Sequence, residues 1–302
     1  MVKNLVLENI SVGFKLPQGV FYAVDDVSLS MPGGNFTAII GESGCGKSVL
    51  GQAILNILPS GVVKKGRVLY NGEQVEKILS AFGIIPQNPS ESLNPVRKIG
   101  KQMQDILAVH NIADSDNSYK KQCLHLFGLQ EADRVLAAYP HELSGGMLQR
   151  VLCAMAVSSK PEWILADEPT KGLDEQVGAV VRKNLLTIKQ DLHLSMLIIT
   201  HDIALAQEVC DDVLVMYAGQ VLEHNADIWH KPLHPYTKGF LQALPKNGLQ
   251  VIPGKAPVPG ESFTGCKFAA RCPYCTTRCK EEKPAMQQVG NAEVRCFLYA
   301  EG

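Results

Sequence analysis

The segment that most constrains this chain is residues 41–48, which read GESGCGKS and match the pattern G-x-x-x-x-G-K-[ST]. The apolar run TAII precedes the segment and the run SVLGQAIL follows it, so the pattern lies between a predicted strand and a predicted helix. Glycines in such a phosphate loop let backbone N–H groups and the helix N-terminus point at the oxygens of a polyphosphate. The residues that we expect to contact a nucleotide here are Gly41, Ser43, Gly44, Cys45, Gly46, Lys47, Ser48 and Val49.

Two carboxylates and a histidine follow apolar runs further along the chain. Asp167 and Glu168 come at the end of WILAD and just after it, and His201 comes directly after SMLIIT. Ligands of open parallel sheets bind at the carboxyl ends of the strands, where these residues are predicted to lie. We expect Lys47 to neutralise the β- and γ-phosphates. The Ser48 hydroxyl is expected to ligate Mg²⁺ directly, and Asp167 to hold it through water. Glu168 is expected to polarise the water that attacks the γ-phosphate, and His201 to contact that phosphate.

The composition indicates a globular chain. Of its 302 residues, 46% are hydrophobic and 20% are charged, so it can bury a sizeable core. No stretch approaches 18 uninterrupted apolar residues and the start lacks the features of a secretory signal, so we expect a cytosolic protein. The formal net charge of −1 does not favour the basic surface that binding to nucleic acid requires.

The order of the apolar runs predicts an α/β fold with added parts. LVLENISVGF and AVDDVSLSMPGG read as strands of an N-terminal antiparallel subdomain, and GRVLYNGEQV contains the Asn-Gly turn of a hairpin. WILAD and SMLIIT are nearly all apolar, as are parallel strands that are buried on both faces. A helical insertion is predicted at about residues 91–154. Prolines and cysteines accumulate after the last α/β unit, so we place a boundary near residue 245, between a domain of residues 1–245 and a cysteine-rich extension of residues 246–302.

The nine cysteines are unevenly distributed. Four are scattered through the first 210 residues, and five crowd the last segment, namely Cys266, Cys272, Cys275, Cys279 and Cys296. A reducing cytosol disfavours disulfides, which leaves metal ligation or a chance excess of unligated thiols as the explanation.

A second glycine turn, Ser144-Gly145-Gly146, lies far from the phosphate loop, and it is explained by a family resemblance. The order of the motifs over residues 1 to about 245 resembles the nucleotide-binding subunit of an ABC transporter. The motifs that carry this resemblance are Gly41–Ser48, Gln87, Leu143–Met147, Leu165–Glu168, Leu173–Asp174 and Thr200–Asp202. The resemblance implies a P-loop NTPase fold of the ABC type, with a parallel core sheet, and it implies ATPase activity with Mg²⁺ as the cofactor.

The resemblance also implies how the second turn is used. Ser144, Gly145 and Gly146 begin a helix that faces the γ-phosphate bound by a second subunit, so ATP is sandwiched between Lys47 of one chain and this turn of the other. Two helix N-termini then favour the same anion.

Three further residues take roles from the same resemblance. Phe14 is expected to stack on adenine, and Asp174 to make a contact across the dimer. Gln87 is expected to bind Mg²⁺ and to sense the attacking water. The turn before Asp174 reads Lys171-Gly172-Leu173 and departs from the usual family sequence, which bears on signalling across the dimer.

The last part of the chain gives a narrower resemblance. HKPLHPYTKGFLQALP (230–245), GCKFAARCPYCTTRCKEEKP (265–284) and Val294-Arg295-Cys296 resemble the tail of ATPase subunits from oligopeptide, dipeptide and nickel importers. This implies an assembly of two ATPases, two membrane permeases and an extracytoplasmic solute-binding protein. LSGGMLQR is similar to one of two distinct ATPases, which implies a non-identical partner. The chain would then lie at the cytoplasmic face of the membrane and touch it only through the permeases, with residues 88–96 receiving the permease's coupling helix.

The same resemblance bears on the tail thiols. Cys266, Cys272, Cys279 and Cys296 match the family positions expected to hold a [4Fe–4S] cluster, and Cys275 is an extra thiol. Zinc is the alternative, although structural zinc sites usually show two paired knuckles and only one C-x-x-C occurs here. Unligated thiols are the third reading.

These features favour an ATPase that powers an importer of peptides or nickel chelates. ATP binding would close the dimer and move the permeases, and hydrolysis would reopen it. The alternatives are a soluble ABC-type switch acting on nucleic acid or ribosomes, and a regulatory protein whose tail senses redox state. The soluble switches usually carry a coiled-coil insertion or fuse two ATP domains, and neither feature is present in the sequence.

Overall fold

The structure is a computed structural model that describes residues 3–17, 19–74, 78–258 and 261–300. The chain forms two compact units. The first unit comprises residues 1–4, 32–36 and 76–209, and the second comprises residues 5–31, 37–75 and 210–302. The phosphate loop therefore belongs to the second unit, and the predicted catalytic carboxylate belongs to the first.

The strands follow the alternating and apolar runs of the sequence. In chain order they are β1 (Leu5–Leu16), β2 (Gly19–Met31), β3 (Phe36–Gly41), β4 (Val63–Tyr70), β5 (Glu73–Gln74), β6 (Phe82–Ile85), β7 (Trp163–Asp167), β8 (Ser195–Ile199), β9 (Asp212–Tyr217), β10 (Gln220–His224), β11 (Gln287–Val289) and β12 (Ala292–Val294). All five residues of β8 are buried, and so are four of the five in β7, as expected of strands covered on both faces.

The helices lie mainly between β6 and β9. In chain order they are α1 (Lys47–Leu55), α2 (Pro89–Ser92), α3 (Ile99–Val109), α4 (Ser118–Leu126), α5 (Ala132–Ala137), α6 (Gly145–Ser158), α7 (Glu175–Thr187), α8 (Ile203–Val209), α9 (Pro235–Gln242) and α10 (Thr277–Glu281). The helices α2 to α6 thus fall in and around the insertion predicted at about residues 91–154.

In the first unit, β6, β7 and β8 pair in parallel. Ile85 of β6 is opposite Ala166 of β7, and Asp167 of β7 is opposite Ile199 of β8. Because the strands run in one direction and in this register, their carboxyl ends meet at one edge. That edge is where the sequence places Gln87, Glu168 and His201.

The second unit contains an antiparallel sheet in the order β2-β1-β4-β5. Its last hairpin turns at Asn71 and Gly72, whose φ angles of 53° and 84° are the left-handed values that an Asn-Gly turn supplies, and this confirms the predicted hairpin. The antiparallel N-terminal subdomain predicted from the sequence is therefore present.

The remaining strands of the second unit show that the core sheet is mixed and not purely parallel. β3 and β9 pair in parallel, with Gly41 opposite Met216. β10 is antiparallel to β9, and the short strands β12 and β11 from the cysteine-rich extension continue the antiparallel order. The departure arises because β10 returns from β9 through the tight Ala218-Gly219 turn, which can join only antiparallel neighbours.

Candidate functional site

The phosphate loop joins β3 to α1 in a conformation that requires glycine at two positions. Gly41 has φ +149°, and a Cβ atom there would lie 2.1 Å from the Met216 carbonyl oxygen. Gly46 has φ +104°, and its Cβ would lie 2.1 Å from the Ala23 carbonyl oxygen. The loop can therefore close tightly against its neighbours only because neither position carries a side chain.

The Lys47 side chain is bound to the backbone of this loop. Its side chain is buried, and Nζ donates hydrogen bonds to the carbonyl oxygens of Gly41 and Glu42, both at 2.9 Å. Ser43, Gly44 and Ser48 are exposed to solvent. Gly46 caps α1 without a side-chain hydrogen bond, so the helix N-terminus presents backbone donors to this open face. The loop thus combines a buried cation with an anion-binding helix end.

Cys45 and Val49 lie inside the same loop and helix start. Cys45 is buried, with its sulfur 3.8 Å from Lys47 Nζ, and burial raises the pKa of its thiol. A buried thiol of this kind is a poor nucleophile, so the predicted nucleotide contact of Cys45 would be made by its backbone. Val49 is half-buried in the first turn of α1.

In the first unit, Glu168 and His201 form a close pair at the ends of β7 and β8. Glu168 Oε2 lies 2.5 Å from His201 Nδ1, and it also accepts the His201 backbone N–H at 3.4 Å. Glu168 is a non-glycine residue with φ +48°, and its own N–H donates to the Ile199 carbonyl oxygen at 2.7 Å. A buried carboxylate held in a strained backbone and oriented by an imidazole is an arrangement suited to a general base.

Gln87 and Asp167 flank this pair. Gln87 is exposed and lies two residues beyond the end of β6, and Asp167 is the last residue of β7. The structure therefore brings Gln87, Asp167, Glu168 and His201 to one edge of the parallel strands in the first unit. Their roles toward Mg²⁺ and water stay predictions.

The second glycine turn begins the 14-residue helix α6. Ser144 is the N-cap, and its Oγ accepts the Met147 N–H at 3.3 Å. Ser144 and Gly145 are exposed, and Gly146 is half-buried. An exposed N-terminus of a long helix carries a partial positive charge and free N–H groups, so it can bind an anion that another molecule presents.

Asp174 has a structural role that sequence reasoning did not foresee. It is the N-cap of α7, and its Oδ1 accepts the Val177 N–H at 2.8 Å. Gly172, with φ +72°, lets the chain turn into this cap. Asp174 is also exposed, so its role as an N-cap does not prevent the predicted contact across a dimer.

Phe14 lies in β1 directly opposite Phe21 of β2. A cavity of about 330 Å³ borders the phosphate loop at Gly44, and its aromatic walls on the strand side are Phe21 and Tyr22. Phe14 does not line this cavity. Phe21 and Tyr22 are thus further candidates for stacking on a base, and the two adjacent aromatic residues near the start of β2 were the sequence signal available for them.

Four tail cysteines line a single cavity of about 180 Å³ in the second unit. They are Cys266, Cys272, Cys279 and Cys296, the four that the family resemblance selects. A backbone hydrogen bond from Cys266 N–H to the Cys279 carbonyl oxygen, at 2.8 Å, brings two of them together. Cys275 lies outside this lining, and its Sγ donates to the Thr276 carbonyl oxygen at 3.5 Å.

Three of the four thiols at this cavity have raised pKa values. Burial raises the pKa of the Cys266 thiol to about 11, and the neighbouring thiols also raise it. Burial likewise raises the pKa values of Cys272 and Cys296. Four thiolates at one cavity would repel one another unless a cation neutralised them. Within residues 3–17, 19–74, 78–258 and 261–300, no three His, Cys, Asp or Glu side chains are close enough to hold a single metal ion.

A cavity of about 470 Å³ lies beside Gln87 in the first unit. Phe82, Ile84, Pro86 and Leu93 supply apolar surface to it. Val96, close by, is 79% exposed. Ser92, Leu93 and Asn94 also line this groove, and they belong to the segment 88–96 that is expected to receive a permease helix. In the part of the chain that the structure describes, no helix is both long and apolar enough to cross a bilayer.

Two protein families match this chain. The ABC transporter family matches residues 24–171, and the family of C-terminal regions of oligopeptide/dipeptide transporters matches residues 222–279. The oligopeptide transport ATP-binding protein OppD of Haemophilus influenzae is 34% identical, and the alignment covers 98% of both chains. The dipeptide transport ATP-binding protein DppD of Escherichia coli is 36% identical, over 95% of this chain and 94% of the relative.

Solved structures show the same fold. The dimeric bacterial ABC transporter cassette MJ0796 has a TM-score of 0.61 at 25% identity, over 72% of this chain and 96% of that chain. CbiO1 from Clostridium perfringens, part of the ABC transporter complex cbiONQ, has a TM-score of 0.61 at 26% identity, over 74% of this chain and 88% of that chain. The family resemblance inferred from the motifs is confirmed by these likenesses.

Proposed function

Because the chain belongs to the ABC transporter family and is an ABC-type ATPase, we propose that it is the ATP-hydrolysing subunit of a peptide importer. The main support for this proposal is the share of the chain that aligns with relatives named for peptide transport. Relatives named for oligopeptide and dipeptide transport align with 95–98% of the chain, cysteine-bearing extension included. A soluble switch acting on nucleic acid has no need of an extension shared with peptide transporters. Residues 1–245 would bind and hydrolyse ATP, and residues 246–302 would form the extension.

ATP is bound with Mg²⁺ as its cofactor. Lys47 neutralises the β- and γ-phosphates, and the α1 N-terminus binds their oxygens. Ser48, Asp167 and Gln87 serve the Mg²⁺ ion, Asp167 through water. The close contact between Glu168 and His201 supports a division of work in which the carboxylate takes a proton from the attacking water and the imidazole orients the carboxylate.

Turnover requires a second ATPase subunit. The exposed N-terminus of α6, capped by Ser144, binds the γ-phosphate held by the partner's phosphate loop, and the partner returns the same contact. Closure around ATP buries the nucleotide between two chains, and hydrolysis removes the anion that holds them together. LSGGMLQR supports a non-identical partner. Asp174, exposed at the start of α7, contacts that partner.

The subunit acts at the cytoplasmic face of the membrane through two permease subunits. The groove lined by Ser92, Leu93 and Asn94 supports this placement, since the exposed Ile84 and the buried Leu93 give it apolar surface. A short amphipathic helix from a permease would fill such a groove. An extracytoplasmic solute-binding protein delivers the cargo, so this chain never touches it.

The four cysteines of the tail cavity would hold a [4Fe–4S] cluster. A zinc ion is the alternative, but it would require the thiols to move closer together, since no three described side chains are close enough to hold a single metal ion. The shared cavity supports this proposal, since its lining includes these four cysteines and not Cys275. The cluster would supply positive charge and would tie together segments too short to build a core of their own. Anaerobically purified protein should contain iron and acid-labile sulfide and show a broad visible absorbance. Replacing Cys272 with Ser should remove that absorbance, and the Cys275→Ser protein should keep it. A colourless protein without iron, or one with one zinc ion per chain, would exclude the cluster.

The transport role is tested by purifying the tagged chain from detergent-solubilised membranes and reconstituting what accompanies it. We expect two permeases and a second ATPase, and uptake of labelled dipeptides or oligopeptides into proteoliposomes that depends on ATP. The Lys47→Ala complex, which assembles but lacks the phosphate contact, is the matched control. Uptake of nickel chelates without uptake of peptides would show that the cargo is a nickel chelate and not a peptide. Retention of nucleic acid without any membrane protein would contradict the proposal.

A further inference from the structure

Arg271 of the cysteine-bearing extension reaches the phosphate loop. Its Nη1 lies 3.1 Å and 3.2 Å from the two carboxylate oxygens of Glu42, the second residue of that loop. The same nitrogen lies 3.3 Å from the Tyr217 hydroxyl, and Nε donates to the Pro253 carbonyl oxygen at 3.0 Å. The Arg271 side chain is only 8% exposed, so these contacts form largely away from solvent, where a charge pair is weakly screened.

Aromatic rings fix the guanidinium in this position. It lies over the ring of Tyr217 at 5.7 Å and over that of Phe268 at 5.9 Å, and both rings belong to a buried aromatic cluster. A guanidinium keeps its positive charge at any physiological pH, and here it faces the Glu42 carboxylate directly. Arg271 is therefore a permanent, oriented cation beside the loop.

Glu42 is coupled to the residues that bind phosphate. Its N–H donates to the Tyr236 hydroxyl oxygen at 3.2 Å, and its carbonyl oxygen accepts a hydrogen bond from Lys47 Nζ at 2.9 Å. A carboxylate in this loop adds a negative charge next to the place where a polyphosphate binds, and like charges repel most strongly where water is scarce. An uncompensated Glu42 would weaken binding of the anion that the loop is built to hold.

The extension that carries Arg271 is anchored independently of the loop. Lys267 Nζ lies 2.9 Å from Asp25, and it donates to the Ala218 carbonyl oxygen at 2.8 Å. Arg295 donates to the Asp26 carbonyl oxygen at 3.0 Å. These contacts attach the extension to β2 and the β9–β10 turn without involving Arg271.

We propose that Arg271 is a positioning residue for ATP binding: it neutralises and orients Glu42, so that the phosphate loop accepts ATP only when the cysteine-bearing extension is folded against it. This inference rests on the ATP-binding role proposed above. It gives the extension a function in the nucleotide cycle in addition to the thiol site it carries, since Arg271 directly precedes Cys272 in the chain.

The test compares binding of Mg²⁺-ATP by the purified full-length chain and by four variants, using calorimetric titration. Arg271→Gln should raise the Kd for ATP about tenfold, a typical coupling between linked groups. Glu42→Gln should not weaken binding, and the double variant Glu42→Gln/Arg271→Gln should return to within about threefold of the parent protein, because the repulsive charge is gone. Lys255→Gln, which removes an exposed cation of the same extension, is the matched control and should bind as the parent does.

Steady-state kinetics distinguish positioning from general damage. Arg271→Gln should raise KM for ATP and leave kcat at saturating ATP nearly unchanged. A loosened fold would instead lower kcat, both in the two single variants and in the double variant. The proposal is overturned if Arg271→Gln binds ATP as tightly as the parent, if the double variant binds no better than Arg271→Gln, or if Glu42→Gln alone weakens binding. Should the parent protein itself fail to bind ATP, the proposed function fails instead, and the same titration shows it.

Discussion

Replacing Glu168 with Gln separates the chemical role of this side chain from its structural role. The change keeps the volume of the side chain but removes its charge and its basicity. Glu168 Oε2 contacts His201 Nδ1 at 2.5 Å, and the side chain is 12% exposed. Since the amide oxygen of glutamine can accept the same hydrogen bond, we expect the backbone at φ +48° and the position of His201 to be retained.

The two expected costs differ in size. A positioned general base contributes about 10²–10⁴-fold to a rate, which is about 3–5 kcal/mol of activation free energy. Exchanging a hydrogen bond to a charged acceptor for one to a neutral acceptor costs about 1 kcal/mol of folding free energy. The Glu168→Gln protein should therefore lose at least about 99% of its ATP turnover while it stays folded and binds ATP.

Three measurements on the same preparation decide the matter. Phosphate release gives the rate of hydrolysis, calorimetric titration gives the Kd for ATP, and light scattering gives the fraction of ATP-bound dimer. That dimer should accumulate, because without hydrolysis it cannot reopen. Glu175→Gln, an exposed acidic residue at the start of α7, is the control and should hydrolyse ATP normally. A Glu168→Gln protein that hydrolyses ATP within about threefold of the parent would refute the assignment of Glu168 as the base.

Three further changes test other parts of the structure. Burial disfavours the charged form of His224, but Asp212 and Glu293 outweigh this effect and raise the pKa of His224 above 6.5. The contribution of His224 to folding stability is therefore full below pH 6.5, and it is lost as the pH rises through the folded-state pKa. His224→Gln should therefore lower Tm more at pH 6 than at pH 9, in thermal scans across that range; an equal loss at both pH values would contradict this. Phe268→Ala should cost about 3–5 kcal/mol in urea unfolding, because the ring is 1% exposed, and a loss below about 1 kcal/mol would contradict the packing. Gly46→Ala should abolish ATP binding in calorimetric titration, because its Cβ would lie 2.1 Å from a backbone oxygen of β2; unchanged affinity would show that the loop can rearrange.

Local sequence signals predicted much of the fold. The phosphate loop was predictable because its glycines have backbone angles that other residues rarely adopt, and because a Cβ at Gly41 or Gly46 would clash with backbone. The Asn71-Gly72 turn was readable for the same reason. The apolar runs WILAD and SMLIIT were readable because parallel strands covered on both faces have no polar positions. In each case one short segment contains the whole physical cause.

Features that depend on distant partners were not predictable. β10 pairs with β12, about seventy residues further along the chain, and nothing within either strand specifies that pairing or the mixed character of the sheet. Nothing in the sequence around Arg271 indicates its contact with Glu42, because the two residues are 229 positions apart. The cap formed by Asp174 is different, because it is local: Asp174 directly precedes α7, and an aspartate in that position is a sequence signal for an N-cap.

The central claim is that each ATP molecule is held by two chains, and cross-linking from position 144 tests it most directly. A photoreactive amino acid would replace Ser144 in the Glu168→Gln protein, and the complex with its partner ATPase would be assembled from ¹⁴N- and ¹⁵N-labelled chains with ATP and Mg²⁺. We predict that mass spectrometry finds position 144 joined to the phosphate loop of another polypeptide, either a differently labelled copy or the partner subunit, and only when ATP is present. Cross-links to residues 41–48 that always join peptides of one labelled chain would contradict the account.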